Sequence, residues 1–348
     1  MEKKLIAVVT GASGFVGSHL VDLLIEKNYT VRCLIRKTSS LKWLEGKDVE
    51  LHICELTDKD GLRKVFKGAD YIYHVAGIVK SKKPEGYFLG NVNTTKTLLD
   101  VALEFKENIK RFLIVSSQTS SGPSRPGNPI NEDSPCNPIT TYGRSKLAQE
   151  ELAKKYMDKL PITICKVAAI YGERDTEIFI FFQTFSRGLM TKIGLHDKQV
   201  SLIHVTDVVR GLYLAAVSEK AIGQTYFITS EKYYTWKEVG DTTSKIMNKK
   251  PLVVKVPHFV VYIISGIAQF FSLFSSKAAT LNIEKAKDLT QHAWICDTSK
   301  AIKDIGPALG RFRIIIDRPI CSYATGRGFI GVLSQFREAL RKVAWESF

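Results

Sequence analysis

The stretch Leu5-Ile-Ala-Val-Val-Thr-Gly-Ala-Ser-Gly-Phe-Val-Gly17 decides how this chain is read. Leu5 to Thr10 is a mostly aliphatic run, the pattern of a buried strand. Gly11, Gly14 and Gly17 break it, and Ser18-His-Leu-Val-Asp-Leu-Leu24 resumes with the apolar spacing of a helix. A strand that turns through glycines into a helix N-terminus predicts a phosphate cradle. Glycines let backbone N–H groups approach a pyrophosphate, and the helix dipole favours its negative charge. The spacing is G-x-x-G-x-x-G, one residue wider than the G-x-G-x-x-G dinucleotide fingerprint. Taken alone, such a turn suits any α/β protein, and residues further along the chain make it specific.

Tyr29 to Arg36 reads as the second strand, whose end faces the adenine ribose in a dinucleotide fold. An acid there would hold a free 2′-hydroxyl. Arg36 stands there instead, followed by Lys37, and a guanidinium suits a 2′-phosphate, with Ser39 and Ser40 as further donors. The expected cofactor is NADP in preference to NAD; a solvated basic strand end is the plain alternative. Val49 to Cys54 is a third strand, followed by Glu55-Leu56 and a helix through Lys67. Asp70 to Gly77 is a fourth strand ending in small residues, Ala76 and Gly77, that let a cofactor approach the backbone. A helix from about Glu85 to Phe105 carries Asn91, and Arg111 to Ser117 is a fifth strand with hydroxyls at its carboxyl end. Alternating strand and helix predicts an α/β fold, a doubly wound parallel Rossmann sheet that binds ligands at those carboxyl ends.

A Pro/Gly-rich loop beginning at Ser121 follows, then Thr140 as the cap of a helix that carries Tyr142 and Lys146. At i and i+4 the two share one helical face. An ammonium near a phenol lowers its pKa, and a tuned tyrosine can exchange a proton with a carbinol oxygen during hydride transfer.

With these residues in hand, the sequence resembles the extended short-chain dehydrogenase/reductase superfamily, the NAD(P)-dependent epimerase/dehydratase group. The matching elements are Thr10 to Gly17, His74 to Gly77, Asn91-Val92, Ser116-Ser117, Tyr142 to Lys146, Ala169 to Gly172 and His204 to Val208, in order over roughly residues 3–305. The resemblance implies a catalytic group of Ser117, Tyr142 and Lys146, with Lys146 also on the nicotinamide ribose. It implies cofactor contacts at Gly11, Ser13, Gly14, Phe15, Val16, Gly17, Arg36, Glu55, Leu56, Ala76, Gly77 and Asn91. Two residues depart from the family pattern: Glu55 where Asp is usual, and Lys166 where Arg is usual. The loop 121–138 and the apolar segment after Pro257 look most like the 3β-hydroxysteroid dehydrogenase and dihydroflavonol reductase branch, with sugar-nucleotide epimerases as the nearest enzyme alternative.

Residues 1–175 are expected to form the dinucleotide domain, to which 200–230 returns. Residues 176–199 and 231–320 are expected to form a smaller, mostly helical substrate region, and 321–348 an atypical tail without functional account. Within the substrate region Glu177 to Met190 reads as a helix rich in phenylalanine (Phe179, Phe181, Phe182, Phe185), which either lines an apolar pocket or packs as core. Val200–Val205 and Thr225–Ile228 are expected to rejoin the sheet. His258 to Ser276 carries no formal charge and is bracketed by Lys255 and Lys277. Its three readings are a helix over the substrate cavity, an interfacial helix in peripheral contact with a membrane, and a span.

Composition bounds the rest. The 348 residues can bury a substantial core, and 45% hydrophobic with 24% charged residues suits a globular protein. The net charge of +15 comes from scattered lysines and arginines, without an arginine-rich tract or zinc-finger spacing, so no nucleic-acid partner and no metal site is expected. Six cysteines without a C-x-x-C read as reduced thiols, and the nucleotide strand begins too early for a signal peptide, so a cytoplasmic protein, membrane contact aside, is expected. The partners expected are a small-molecule substrate and a second copy in a homodimer. The functional expectation is hydride transfer between nicotinamide and a hydroxyl or ketone carbon of an apolar, steroid- or flavonoid-like substrate. A nucleotide-sugar epimerase or dehydratase with tightly held NAD is the alternative, and a cofactor-sensing scaffold the third reading.

Overall fold

The computed structural model describes residues 4–272, 274 and 281–305. The tail 321–348 and the stretch 306–320 lie outside the described residues.

The first half alternates as its hydrophobic pattern dictates: β1 (Ile6–Thr10), α1 (Phe15–Glu26), β2 (Thr30–Ile35), β3 (Glu50–Ile53), α2 (Lys59–Phe66) and β4 (Tyr71–His74). Then come α3 (Pro84–Phe88), a π-helical turn (Leu89–Asn93), α4 (Thr94–Leu103), β5 (Arg111–Ser117), α5 (Thr141–Lys154) and β6 (Ile162–Val167). Instead of one helix from Glu85 to Phe105, the chain makes a helix interrupted by a π turn, and Asn91 sits in that turn. Such turns insert one residue per turn and re-aim side chains, and they concentrate at functional sites.

Beyond β6 lie β7 (Ala169–Tyr171), α6 (Ile178–Ser186), β8 (Leu189–Ile193), β9 (Gln199–Val200), β10 (Leu202–His204), α7 (Val205–Val217) and β11 (Thr225–Ile228). The described chain closes with β12 (Tyr234–Thr235), α8 (Trp236–Met247), β13 (Leu252–Val256), α9 (His258–Ser272), α10 (Ile283–Thr290), β14 (Ala293–Trp294) and α11 (Ser299–Ile305). The main sheet has seven strands in the order β11-β6-β5-β4-β1-β2-β3, every neighbouring pair parallel. Apart from the edge strand β3, which is largely exposed, its strands are mostly buried on both faces, which is why they read as nearly continuous apolar runs. In β1, Ala7 and Val9 face the core layer shared with α1 and α7, while Val8 faces the layer built with α2, α4 and α5.

Two expectations are corrected here. Thr225–Ile228 does extend the main sheet, but 200–205 does not: Leu202–His204 pairs with Ala169–Tyr171, and Gln199–Val200 with β12 and β14. A short run of apolar residues announces a strand but not its partner. The phenylalanine-rich helix ends at Ser186 because Gly188, with φ +86°, breaks it and β8 begins. Phe181 stacks on Trp236 at 5.3 Å, and Phe182 and Phe185 are buried, so these rings are core.

Strand order reverses between β4 and β1, and open α/β sheets bind ligands outside the carboxyl ends at that point. The glycine turn after β1 and Ala76-Gly77 after β4 both lie there.

Candidate active site

The glycine turn is built for close approach. Gly11 has φ +70°, and a Cβ on it would lie 2.8 Å from the Ala76 backbone nitrogen. A Cβ on Gly17 would lie 2.1 Å from the Gly11 carbonyl oxygen, so α1 can abut β1 only with glycine there. Gly14 caps α1 without a side-chain bond, and no acid stands in its first turn. The first backbone N–H groups, around Ser13, Phe15 and Val16, therefore keep their affinity for an anion.

Behind this turn runs a buried chain of polar groups that sequence reasoning missed. His74 Nδ1 lies 2.8 Å from Thr10 Oγ1, which also accepts from the Ala76 N–H at 3.1 Å. His74 Nε2 lies 2.8 Å from Thr95 Oγ1. Thr95 donates to the Asn91 carbonyl at 2.6 Å and accepts from Gln149 Nε2 at 2.6 Å. Gln149 Oε1 in turn accepts from the Lys146 ammonium, which also donates to the Val115 carbonyl at 2.9 Å. Because Thr95 spends its proton on Asn91, His74 must donate through Nε2 and accept through Nδ1. Burial and the nearby Lys146 charge push the His74 pKa down to about 3, so the ring is neutral. The spacing of His74, Thr95 and Gln149 in sequence carries no sign of this link; it exists because β4, α4 and α5 meet.

The residues expected at the cofactor fall around this chain. Lys146 is buried near Gly77: a Cβ on Gly77 would lie 4.0 Å from Nζ and 3.2 Å from Asn91 Oδ1. The Asn91 amide is spent within the protein, accepting from Ile78 N at 2.7 Å and donating to the Ile78 carbonyl and to Ser145 Oγ at 2.9 Å. Asn91 thus holds the β4 loop against α5. Arg36 and Glu55 are exposed at the carboxyl ends of β2 and β3, with Leu56 half-buried. Ser39 Oγ accepts from the Arg36 N–H at 3.0 Å, while the Arg36 guanidinium makes no bond to any described residue. Lys166, where the family pattern has Arg, forms a buried ion pair with Glu150 at 2.9 Å and donates to Ser121 Oγ at 2.8 Å, and Ser116 donates to the same carboxylate. It ties β6 to α5 and to the loop after β5.

Tyr142 is half-buried on α5, whose N-cap Thr140 accepts from the Gly143 N–H as expected. It lines a cleft of about 170 Å³ with Thr119, Tyr87, Val79, Lys80 and Glu177, closed by Asn282, Glu284, Lys285 and Asp288 around α10. The phenol pKa is raised to about 12, not lowered: burial dominates, Glu177, Asp288 and Tyr87 add to it, and the Ser117 hydroxyl works the other way. The expected lysine effect is absent because the Lys146 ammonium is turned to Val115 and Gln149, and burial brings its own pKa down to about 8. The aromatic residues of α6 line a separate apolar void with Tyr171, Leu202 and Trp236. The cleft at Tyr142 is lined by charged side chains together with the apolar surfaces of Val79, Tyr87 and Tyr142 itself.

These elements match known proteins over most of the chain. The family model described as NAD dependent epimerase/dehydratase covers residues 7–228. The chain belongs to this family. Its membership carries the extended short-chain dehydrogenase/reductase fold with it. Among curated relatives, a ceramide reductase of Caulobacter vibrioides is 26% identical over 290 residues, 83% of this chain and 85% of its own. A decarboxylating sterol-4-alpha-carboxylate 3-dehydrogenase of Dictyostelium discoideum is 24% identical over 309 residues, 80% of this chain and 93% of its own. The solved UDP-glucose 4-epimerase of Thermotoga maritima superposes with a TM-score of 0.70 at 20% identity, covering 86% of this chain and 92% of that one, and shares its fold.

The family's dinucleotide fits the residues present. The side-chain-free turn at Gly11 and Gly17 and the uncapped N-terminus of α1 suit a pyrophosphate, and Lys146 lies beside Gly77 for a ribose. Among the described residues no cluster of three or more His, Cys, Asp or Glu side chains is placed to hold a metal. All five described cysteines are free, and the sixth, Cys321, lies outside the described residues.

Proposed function

We propose that this protein is an NAD(P)-dependent oxidoreductase acting on a hydroxyl or ketone carbon of an apolar or amphiphilic lipid-like substrate. The observation that carries this reading is Tyr142: a phenol kept protonated at the wall of a small cleft, with Ser117 beside it. When bound, the nicotinamide supplies or accepts the hydride. Ser117 orients the substrate oxygen by a hydrogen bond, and Tyr142 gives that oxygen its proton as a ketone becomes an alcohol, or takes it in reverse. A phenol with a raised pKa stays protonated at neutral pH but is the weaker acid, and the Ser117 hydroxyl, which works to lower that pKa, eases the transfer. Lys146, held by Val115 and Gln149, lies where a ribose hydroxyl would accept from it. NADP is preferred through Arg36, whose guanidinium is exposed at the end of β2 and suits a 2′-phosphate.

The relatives named as a ceramide reductase and a sterol dehydrogenase support a lipid substrate. So does α9. Only Val261 and Ser265 of this helix are buried, while Phe259, Ile263, Ile267, Phe270 and Phe271 are each more than half exposed. No described helix is long and apolar enough to cross a membrane. The stretch from Lys249 to Ser272 contains Lys249, Lys250 and Lys255 and no acidic residue, so the surface fits an anionic lipid headgroup layer with the phenylalanines below it. The α9 helix packs on α10 through Tyr262 and Thr290, whose hydroxyls lie 3.2 Å apart, which brings the cleft close to that surface.

Mass spectrometry of small molecules released from the purified protein tests the reading. NADP together with a sterol- or sphingolipid-like compound is the expected result. NAD together with a sugar nucleotide overturns it.

A further inference from the structure

Three carboxylates surround the cleft at Tyr142, and two of them are matched. Glu177 pairs with Lys80 at 2.8 Å and with Lys285 at 3.7 Å. Glu284 pairs with Lys287 at 2.8 Å and accepts from the Thr141 N–H. Asp288 is different. Its Oδ1 is buried and has no hydrogen-bond partner among the described residues, and its side chain lines the cleft. Its backbone carbonyl accepts from Gln291 N and Trp294 Nε1. An unmatched buried acceptor is costly to keep, and a fold tolerates it where a ligand completes it.

We infer that Asp288 is a specificity-determining residue, accepting a hydrogen bond from a hydroxyl or amide N–H on the substrate close to the carbon that reacts at Tyr142. This deepens the proposed function and rests on it: the substrate is an amphiphile whose polar head carries a hydroxyl or amide N–H donor. Lys80 and Lys285 in the same cleft are matched by Glu177, which leaves the Asp288 carboxylate as the acceptor for that head. Burial lifts the Asp288 pKa to about 6, so the carboxylate is still charged at pH 7 and a strong acceptor. The interaction would not be seen from sequence, because Asp288 and Tyr142 are brought together only by α10 folding over α5.

Calorimetric titration of the NADP-loaded protein with octane-1,3-diol and with octan-3-ol tests this, since the two differ only in the second hydroxyl. Wild type is expected to bind the diol at least about tenfold more tightly, the worth of one hydrogen bond to a charged group. Asp288→Ala should erase the preference by weakening only the diol, and Asp288→Asn should keep part of it. Equal affinities in wild type, binding of neither alcohol, or a preference that survives Asp288→Ala would each overturn the inference. Near-ultraviolet circular dichroism checks that the variants are folded. NADP reduction with the diol is followed separately: a binding preference without hydride transfer overturns the oxidoreductase reading and leaves the Asp288 site standing.

Discussion

Thr10 and His74 face each other at the last register position of β1 and β4, and the Thr10 hydroxyl donates to His74 Nδ1 across 2.8 Å. Through this bond the glycine turn is joined to Thr95, Gln149 and finally Lys146. The cofactor cradle and the lysine that would hold the ribose are thus one buried polar unit. Each member is satisfied only while the others stay in place.

Thr95→Val tests that unit. Valine has nearly the same shape but leaves the His74 Nε2–H and Gln149 Nε2–H without an acceptor, at about 1–3 kcal/mol each. Urea denaturation should show a loss of roughly 2–6 kcal/mol, and NADP affinity should fall as Lys146 loses its support. Unchanged stability would mean the chain of bonds does not hold the site.

The same histidine sets a pH dependence. Its folded pKa, down to about 3, lies below the ordinary value near 6.5, so the unfolded chain binds more protons in between. Stability from this group is fully present above about pH 6.5 and is lost as pH falls towards 3. The slope approaches about 1.4 kcal/mol per pH unit. His19 and His258 are shifted the same way by burial, so the comparison must be with His74→Asn. That variant should be less stable at pH 7.5 but lose less between pH 6.5 and 5. Parallel slopes would remove His74 as the cause.

Tyr142→Phe should leave NADP binding nearly intact and lower turnover by about 10²–10⁴, the usual worth of a general acid. Steady-state kinetics on the alcohol or ketone that the protein accepts, with calorimetry for the cofactor, separate the two effects. Near-normal turnover would rule out Tyr142 as the proton donor.

Arg36→Asp should reverse or flatten a preference for NADPH over NADH, because a carboxylate repels the 2′-phosphate and accepts from a 2′-hydroxyl. Fluorescence titration with both nucleotides decides it. Equal binding of the two by wild type would show that Arg36 does not read the phosphate.

The exposed face of α9 predicts flotation with phosphatidylserine liposomes at low salt and weaker flotation at high salt. Phe270→Ser combined with Phe271→Ser should reduce it while leaving the dinucleotide site intact. Absence of flotation by wild type at low salt would make the face a lid or a contact with a second copy, the latter visible as a dimer by light scattering.

Sequence by itself determined the dinucleotide half. Buried parallel strands must be apolar throughout, and only glycine serves at Gly11 and Gly17, so β1, its turn and α1 are written into local composition, as are Thr140 and Tyr142 on α5. Tertiary structure alone decided what those residues face. Lys146 turned from the phenol to Val115 and Gln149, Tyr142 gained a raised pKa from burial among Glu177 and Asp288, and 200–205 found partners outside the main sheet. Of the two readings of the α6 aromatic residues, Trp236 and the core claimed them, and the cleft at Tyr142 is lined instead by residues of α5 and α10 and the loops beside them. The reason is physical. Strand and helix follow from the period of apolar residues along the chain, whereas pKa, hydrogen-bond partner and pocket lining depend on groups brought in from other elements, whose approach no local spacing records.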